Sequence, residues 1–327
     1  MARDHITFKR RRYEVIDRIP VGRKSFLIIR KLSSQIRQRF QAFDPHAGPH
    51  GAMRVVQQLP DDEATWQRVR VLQRVSQDNP ELPQILEFHR RADDIVVLQP
   101  WVEGKDLRWW IDSMRRNERQ RMGTPEVIRL FRGLAHAVYH LHHHGQVVHA
   151  DIKPANIILS TQSHRLVLID FGSAWTAERT ATRVRGDGRS SQYAAPEMLM
   201  QLPRLDFRAD YFSLAAVCYE SLTQQVPYDG LGGRAGLSEF KSQSDSLYVP
   251  PSQLSRESKT LDTRALRAID ALHAKALQLN PDDRFATGQE WLTAWQTAHD
   301  IFRLPQHQSL FDRLIIRLAG LFSRSRE

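Results

Sequence analysis

Short runs of β-branched and aromatic residues dominate the first hundred positions, and residues 26–32, 39–44, 52–59 and 95–98 read as strands. Between the second and third of these, residues 45–51 (Pro45, Gly48, Pro49 and Gly51 among them) supply a turn. One helix interrupts the set over about 61–75, with Trp66, Val69, Leu72 and Val75 three apart and Asp61, Asp62 and Glu63 at its positive end. After Gly104 the period changes to a helical one. Thr124 as cap with Pro125 behind it opens a helix that carries Leu130, Leu134, Val138 and Leu141 to Gly145. Residues 210–222 and 266–279 are two more helices, separated by a loop-rich stretch over 227–251. A strand-rich front with one helix and a helical back half predict an α+β fold of two unequal lobes with a cleft between them.

Composition narrows the class. The chain has 327 residues, of which 41% are apolar and 9% aromatic, enough for a sizeable core. The single Cys218 excludes an internal disulfide framework and suits a reducing compartment. Net charge is +10, but it is unevenly placed: residues 1–40 hold 12 basic and 3 acidic residues, and residues 303–327 hold 5 and 2. A nucleic-acid partner is therefore not expected, because the positive charge sits at the two ends rather than along the chain. No signal peptide is read at the start, and no window approaches the ~18 apolar residues of a spanning helix. The expected location is cytoplasmic.

The chemistry gathers in His149-Ala-Asp-Ile-Lys-Pro-Ala-Asn156 and, shortly after, Asp170-Phe-Gly172. Each follows an apolar β-type run (147–148 and 166–169), so each set of polar groups leaves a strand end, where a rigid core can aim it. Two carboxylates and an amide oxygen are hard ligands that suit Mg²⁺, which also binds phosphate oxygens. Lys153 would balance negative charge during phosphoryl transfer.

On these residues the chain resembles the protein kinase superfamily, in particular bacterial-type Ser/Thr kinases, over about residues 26–302. The resemblance implies a small antiparallel β lobe with one helix over 26–100 and a larger, mainly helical lobe over 101–302. It also implies ATP and Mg²⁺ as cofactors and a protein substrate. Asp151 would be the catalytic base, Lys153 would lie beside the transferred phosphoryl group, and Asn156 and Asp170 would hold metal. Ala195-Pro-Glu197 would close an activation segment, with Arg284 as the ion-pair partner of Glu197. Asp210 would anchor the catalytic loop, and Ser190 would line the substrate site. The hinge falls near Gln99-Pro-Trp-Val102, where the Pro100 carbonyl and the Val102 N–H would meet adenine and Asp106 a ribose hydroxyl.

The nucleotide-gripping half departs from the family. Aligned on the Gly-rich loop, residues 32–44 put Ser33, Gln35 and Gln38 at its three glycines. Gln57 stands where the family places a phosphate-gripping Lys, and Arg68 where it places that lysine's Glu partner. Arg68 pointing into the cleft, or Arg37 at the loop tip, would restore a cation; a solvent-facing Arg68 would not. The stretch Ile19-Pro-Val-Gly-Arg-Lys-Ser25 is a rival for the loop, rejected because it leaves too many residues before the third strand. Ala150 replaces the Arg that commonly precedes the base, which points to activity independent of loop phosphorylation.

Two readings follow: an atypical Ser/Thr kinase, supported by the base and metal ligands, and a pseudokinase that binds nucleotide or a partner, supported by Gln57 and Arg68. The histidines at 136, 140 and 142–144 lack companion ligands and are set aside as a metal site. Residues 1–25 read as a basic extension and 303–327 as a basic amphipathic tail. Its stripe of Leu310, Phe311, Leu314, Ile315, Leu318 and Phe322 suits an anionic inner membrane surface, a partner protein or its own domain.

Overall fold

A computed structural model describes residues 4–32, 38–176, 190–200, 206–240, 242–257 and 259–303. Ser33, Gln35 and Arg37 of the aligned loop, and the tail beyond residue 303, lie outside the described residues.

The chain opens with a hairpin of β1 (His5–Phe8) and β2 (Arg11–Glu14), and continues into β3 (Asp17–Val21), β4 (Lys24–Lys31), β5 (Gln38–Asp44) and β6 (Ala52–Pro60). After α1 (Glu63–Ser76) come β7 (Glu87–Arg90) and β8 (Asp94–Pro100). Strands β3 to β8 form one antiparallel sheet in the order β3-β4-β5-β6-β8-β7. The sheet therefore begins at residue 17, within the stretch that sequence assigns to a basic extension.

Curling of the sheet explains why an extra strand fits there. Lys24 Nζ on β4 lies 2.7 Å from Glu87 on β7, and Arg91 donates to the Pro20 carbonyl at 3.4 Å, so the two edges approach each other. Ile19, Val21, Phe26, Ile28, Phe40, Val56, Val96 and Leu98 fill the space enclosed. Gly22, at φ +59°, turns β3 into β4, and a side chain there would press on His89. The rival loop at 19–25 is this hairpin.

Helix α1 begins after Asp62, whose carboxylate accepts from the Thr65 N–H at 2.8 Å. Its apolar face (Val69, Leu72, Val75) faces the main core, which continues unbroken into the second lobe. That lobe comprises β9 (Gly104–Asp106), α2 (Leu107–Arg115), α3 (Thr124–Gly145), β10 (Val147–Val148), β11 (Ile157–Ser160), β12 (Leu166–Leu168) and β13 (Trp175–Thr176). Helices α4 (Pro196–Leu199), α5 (Arg208–Thr223), α6 (Ser244–Leu247), α7 (Pro251–Leu254), α8 (Thr263–Ala276) and α9 (Gly288–Asp300) follow. The α+β, two-lobed architecture is the one the resemblance implies.

One local expectation changes. Gly123, not Thr124, caps α3; the Thr124 N–H is taken by the Glu257 carboxylate at 2.7 Å, so the helix start is closed from a distant segment. Helix α5 is buried on every side, because α3 and α8 pack around it. Among the described residues no helix is long and apolar enough to cross a membrane.

Candidate active site

The site hangs on one buried carboxylate. Asp210, in the first turn of α5, accepts the His149 N–H at 2.7 Å through Oδ2 and the Ala150 N–H at 2.9 Å through Oδ1. His142 Nε2 lies 2.8 Å from the same Oδ2. Burial pushes the Asp210 carboxyl upward, but the hydrogen bond and charge of His142 outweigh it and hold the group below its ordinary value. Burial lowers His149, so its ring is neutral at pH 7. The paired N–H bonds hold Ala150 at φ +59°, a left-handed conformation that costs a non-glycine residue about 1 kcal/mol or more.

Asp151 follows directly. Its carboxylate meets Lys153 Nζ at 3.0 Å and accepts from Asn156 Nδ2 at 2.9 Å, and the same amide donates to the Asp151 carbonyl. The Asn156 carbonyl in turn accepts the Ile169 N–H at 2.8 Å, which brings the turn at Asn156 beside the end of β12. Asp170 emerges there at φ +68°, with Oδ1 accepting the Gly172 N–H at 3.2 Å. Phe171 packs edge-on against His149 at 5.0 Å, closing this arrangement from below. Asp151, Lys153, Asn156 and Asp170 thus converge at the strand ends where sequence puts them.

The opposite wall comes from the first lobe. Arg39 on β5 reaches across and places Nη1 2.9 Å from Asp170 Oδ2. Burial raises the Asp170 carboxyl, yet the Arg39 charge and the Gly172 N–H prevail and keep it below the usual range, hence ionised. Gln57 on β6 is buried, and its Nε2 has no hydrogen-bond partner among the described residues. Arg68 is buried rather than solvent-facing. It donates from Nη1 to the Ala174 carbonyl at 2.8 Å, tying α1 to the chain just past Asp170-Phe-Gly172.

At the hinge, Gln99 is buried and pairs with Val55, and Pro100 ends β8. The Trp101 N–H is taken by the Met53 carbonyl at 3.3 Å, whereas Val102 follows outside the strand. Asp106 serves the fold, since its carboxylate caps α2 by accepting the Trp109 N–H at 2.8 Å. Glu197 and Arg284 form a two-pronged ion pair at 2.6 and 2.8 Å, with side chains 2% and 0% exposed.

Asn156 and Asp170 fit Mg²⁺ by the chemistry of their oxygens, and the ionised state of Asp170 supports this. Among the described residues there is no cluster of three or more His, Cys, Asp or Glu that would suit a softer or fully protein-caged metal.

Sequence reasoning missed His142 as the partner of Asp210 and Arg39 as that of Asp170. The signal for Arg39 was present, because Arg39 stands at a strand position whose side chain shares a face with Gln57 once β5 and β6 are paired in register.

The protein kinase domain family matches residues 40–296. The serine/threonine-protein kinase PknF of Mycobacterium tuberculosis is 30% identical over 211 residues, which are 62% of this chain and 41% of that protein. PknJ of the same species is 29% identical over 219 residues (65% and 34%), and rabbit serine/threonine-protein kinase 17A is 26% identical over 239 (71% and 56%). The chain thus matches about half or less of the length of these relatives.

Proposed function

The chain belongs to the protein kinase domain family, and on that footing we propose that it is an atypical serine/threonine kinase transferring the γ-phosphoryl of ATP to a protein hydroxyl. The observation that carries this reading is the Asp151 carboxylate, held by Lys153 and Asn156 beside the ionised Asp170. Asp151 accepts the proton of the substrate hydroxyl as its oxygen bonds to the γ-phosphorus. The bridging bond to the β-phosphate breaks and ADP leaves. Lys153, next to the base, balances charge on the moving phosphoryl group. The Pro100 carbonyl and Val102 N–H would hold adenine. Mg²⁺ on Asn156 and Asp170 would draw charge from the phosphate oxygens.

Transfer of label from ATP to protein by the purified full chain tests this. Mg²⁺-dependent labelling is expected, and it should vanish in Asp151→Asn and Asp170→Ala. A second reading, a nucleotide-binding pseudokinase, is favoured by Gln57 and Arg68, which leave no Lys–Glu pair between β6 and α1. ATP binding without transfer to any substrate would select it.

A further inference from the structure

Antiparallel pairing sets Arg39 of β5 directly opposite Gln57 of β6, and Gln57 opposite Val97 of β8. Directly opposed residues in a sheet point to the same face. That face is the cleft face, because Arg39 crosses from it to Asp170.

Two donors on this face are unspent. Arg39 Nε and Gln57 Nε2 are both buried and have no hydrogen-bond partner among the described residues. Each is a donor only, so neither satisfies the other, and leaving such groups unpaired in the interior is costly. What the pair lacks is an acceptor, and the positive charge beside them calls for an anionic one. Of the other cations named for this cleft, Arg37 lies outside the described residues, Lys153 is at the Asp151 carboxylate, and Arg68 is at the Ala174 carbonyl.

We propose that Arg39 is the phosphate-binding cation of this cleft, supplying from β5 the charge that Gln57 no longer supplies from β6, with Gln57 as a neutral donor beside it. The ligand class is the phosphate chain of a Mg²⁺-bound nucleoside triphosphate, so the inference rests on the reading that the cleft takes ATP. Without nucleotide, the Asp170 carboxylate holds the guanidinium in place. When nucleotide binds, phosphate oxygens replace that carboxylate as its partner and leave Asp170 to its metal. A guanidinium suits the exchange: it stays charged when desolvated, and its planar fork can grip two oxygens at once.

The test is equilibrium binding of a non-hydrolysable ATP analogue with Mg²⁺ to the full-length chain, with adenosine as a phosphate-free control. Arg39→Gln is expected to weaken the analogue by about 10-fold or more, the loss of one charge-assisted contact, and to leave adenosine unchanged. Arg39→Gln with Gln57→Lys is expected to recover most of the loss. Should Arg39→Gln fail to fold, Arg39→Lys, which keeps the charge, is expected to bind the analogue within a few-fold of the parent.

Equal binding by Arg39→Gln, tighter binding, equal loss of adenosine, loss of the analogue by Arg39→Lys, or no phosphate-dependent binding by the parent would each overturn the proposal. Phosphate-dependent binding without transfer would instead defeat the kinase reading and leave Arg39 its role.

Discussion

Asp210 receives the backbone N–H of Ala150 at 2.9 Å and thereby holds the residue before Asp151 in a left-handed turn. The direction in which Asp151 faces is therefore set by a carboxylate on a different element. Asp210→Asn keeps the shape but replaces the charge. Each hydrogen bond to a charged group contributes about 1.5–3 kcal/mol, so a loss of at least about 2 kcal/mol is expected. Urea denaturation measures this, and phosphate transfer should fall by at least about 10-fold in the fraction that remains folded. Full transfer by Asp210→Asn would show that the turn needs no anchor.

Glu197 and Arg284 make a second, separate tie. Their forked contact is buried, and Arg284 also donates to the Gln278 carbonyl at 2.7 Å. Glu197→Ala would strand a guanidinium in the interior, at a cost of roughly 3–5 kcal/mol. Arg284→Met with Glu197→Leu should recover part of that loss, because removing both charges is gentler than removing one. The midpoints of denaturation curves for the single and double variants decide the matter.

Acid should weaken the second lobe through His273. Its ring is buried in α8 with Nδ1 2.8 Å from the Ile269 carbonyl, and burial pushes it down to about 4. The unfolded chain takes up this proton near pH 6.5, before the folded protein does, so stability is fully present above pH 6.5 and is lost as pH falls toward 4. The loss is about 3 kcal/mol over that window. Unfolding free energies at pH 7 and pH 4.5, for the parent and for His273→Gln, should converge at the lower pH. An unchanged gap between them would count against this assignment.

The N-terminal hairpin covers apolar surface. Phe8 meets Phe43 edge-on at 5.5 Å, and together with Ile6, Tyr13 and Val15 it lies over Leu27, Phe43 and Met53, while Lys9 pairs with Glu103 past the hinge. Phe8→Ala is expected to cost about 1–2 kcal/mol, less than a full core truncation because Phe8 is only partly buried. Removing residues 1–15 should lower the thermal midpoint further and raise binding of a hydrophobic dye.

Legibility divided along the range of the interactions. Helix α1 could be read from apolar spacing and acidic capping, since both act within a few residues. Strand β3 escaped the same reading. Its burial comes from the curl that brings Lys24 near Glu87, a contact across 63 positions. Asp106, which the resemblance gives to a ribose hydroxyl, also caps α2, a local role set by the Trp109 N–H that its Oδ1 accepts.

The sequence by itself determined the two-lobed α+β class and the spacing of Asp151, Asn156 and Asp170 along the chain, because period, capping and short spacings are local properties of the chain. It also put Gln57 and Arg68, neither a Lys nor a Glu, at the two positions that the resemblance gives to a Lys–Glu pair. Only the tertiary structure decided where cations stand in the cleft. It sent Arg68 to a backbone carbonyl and Arg39 to Asp170, because strand register and lobe contact, which join residues far apart along the chain, set which way each guanidinium points.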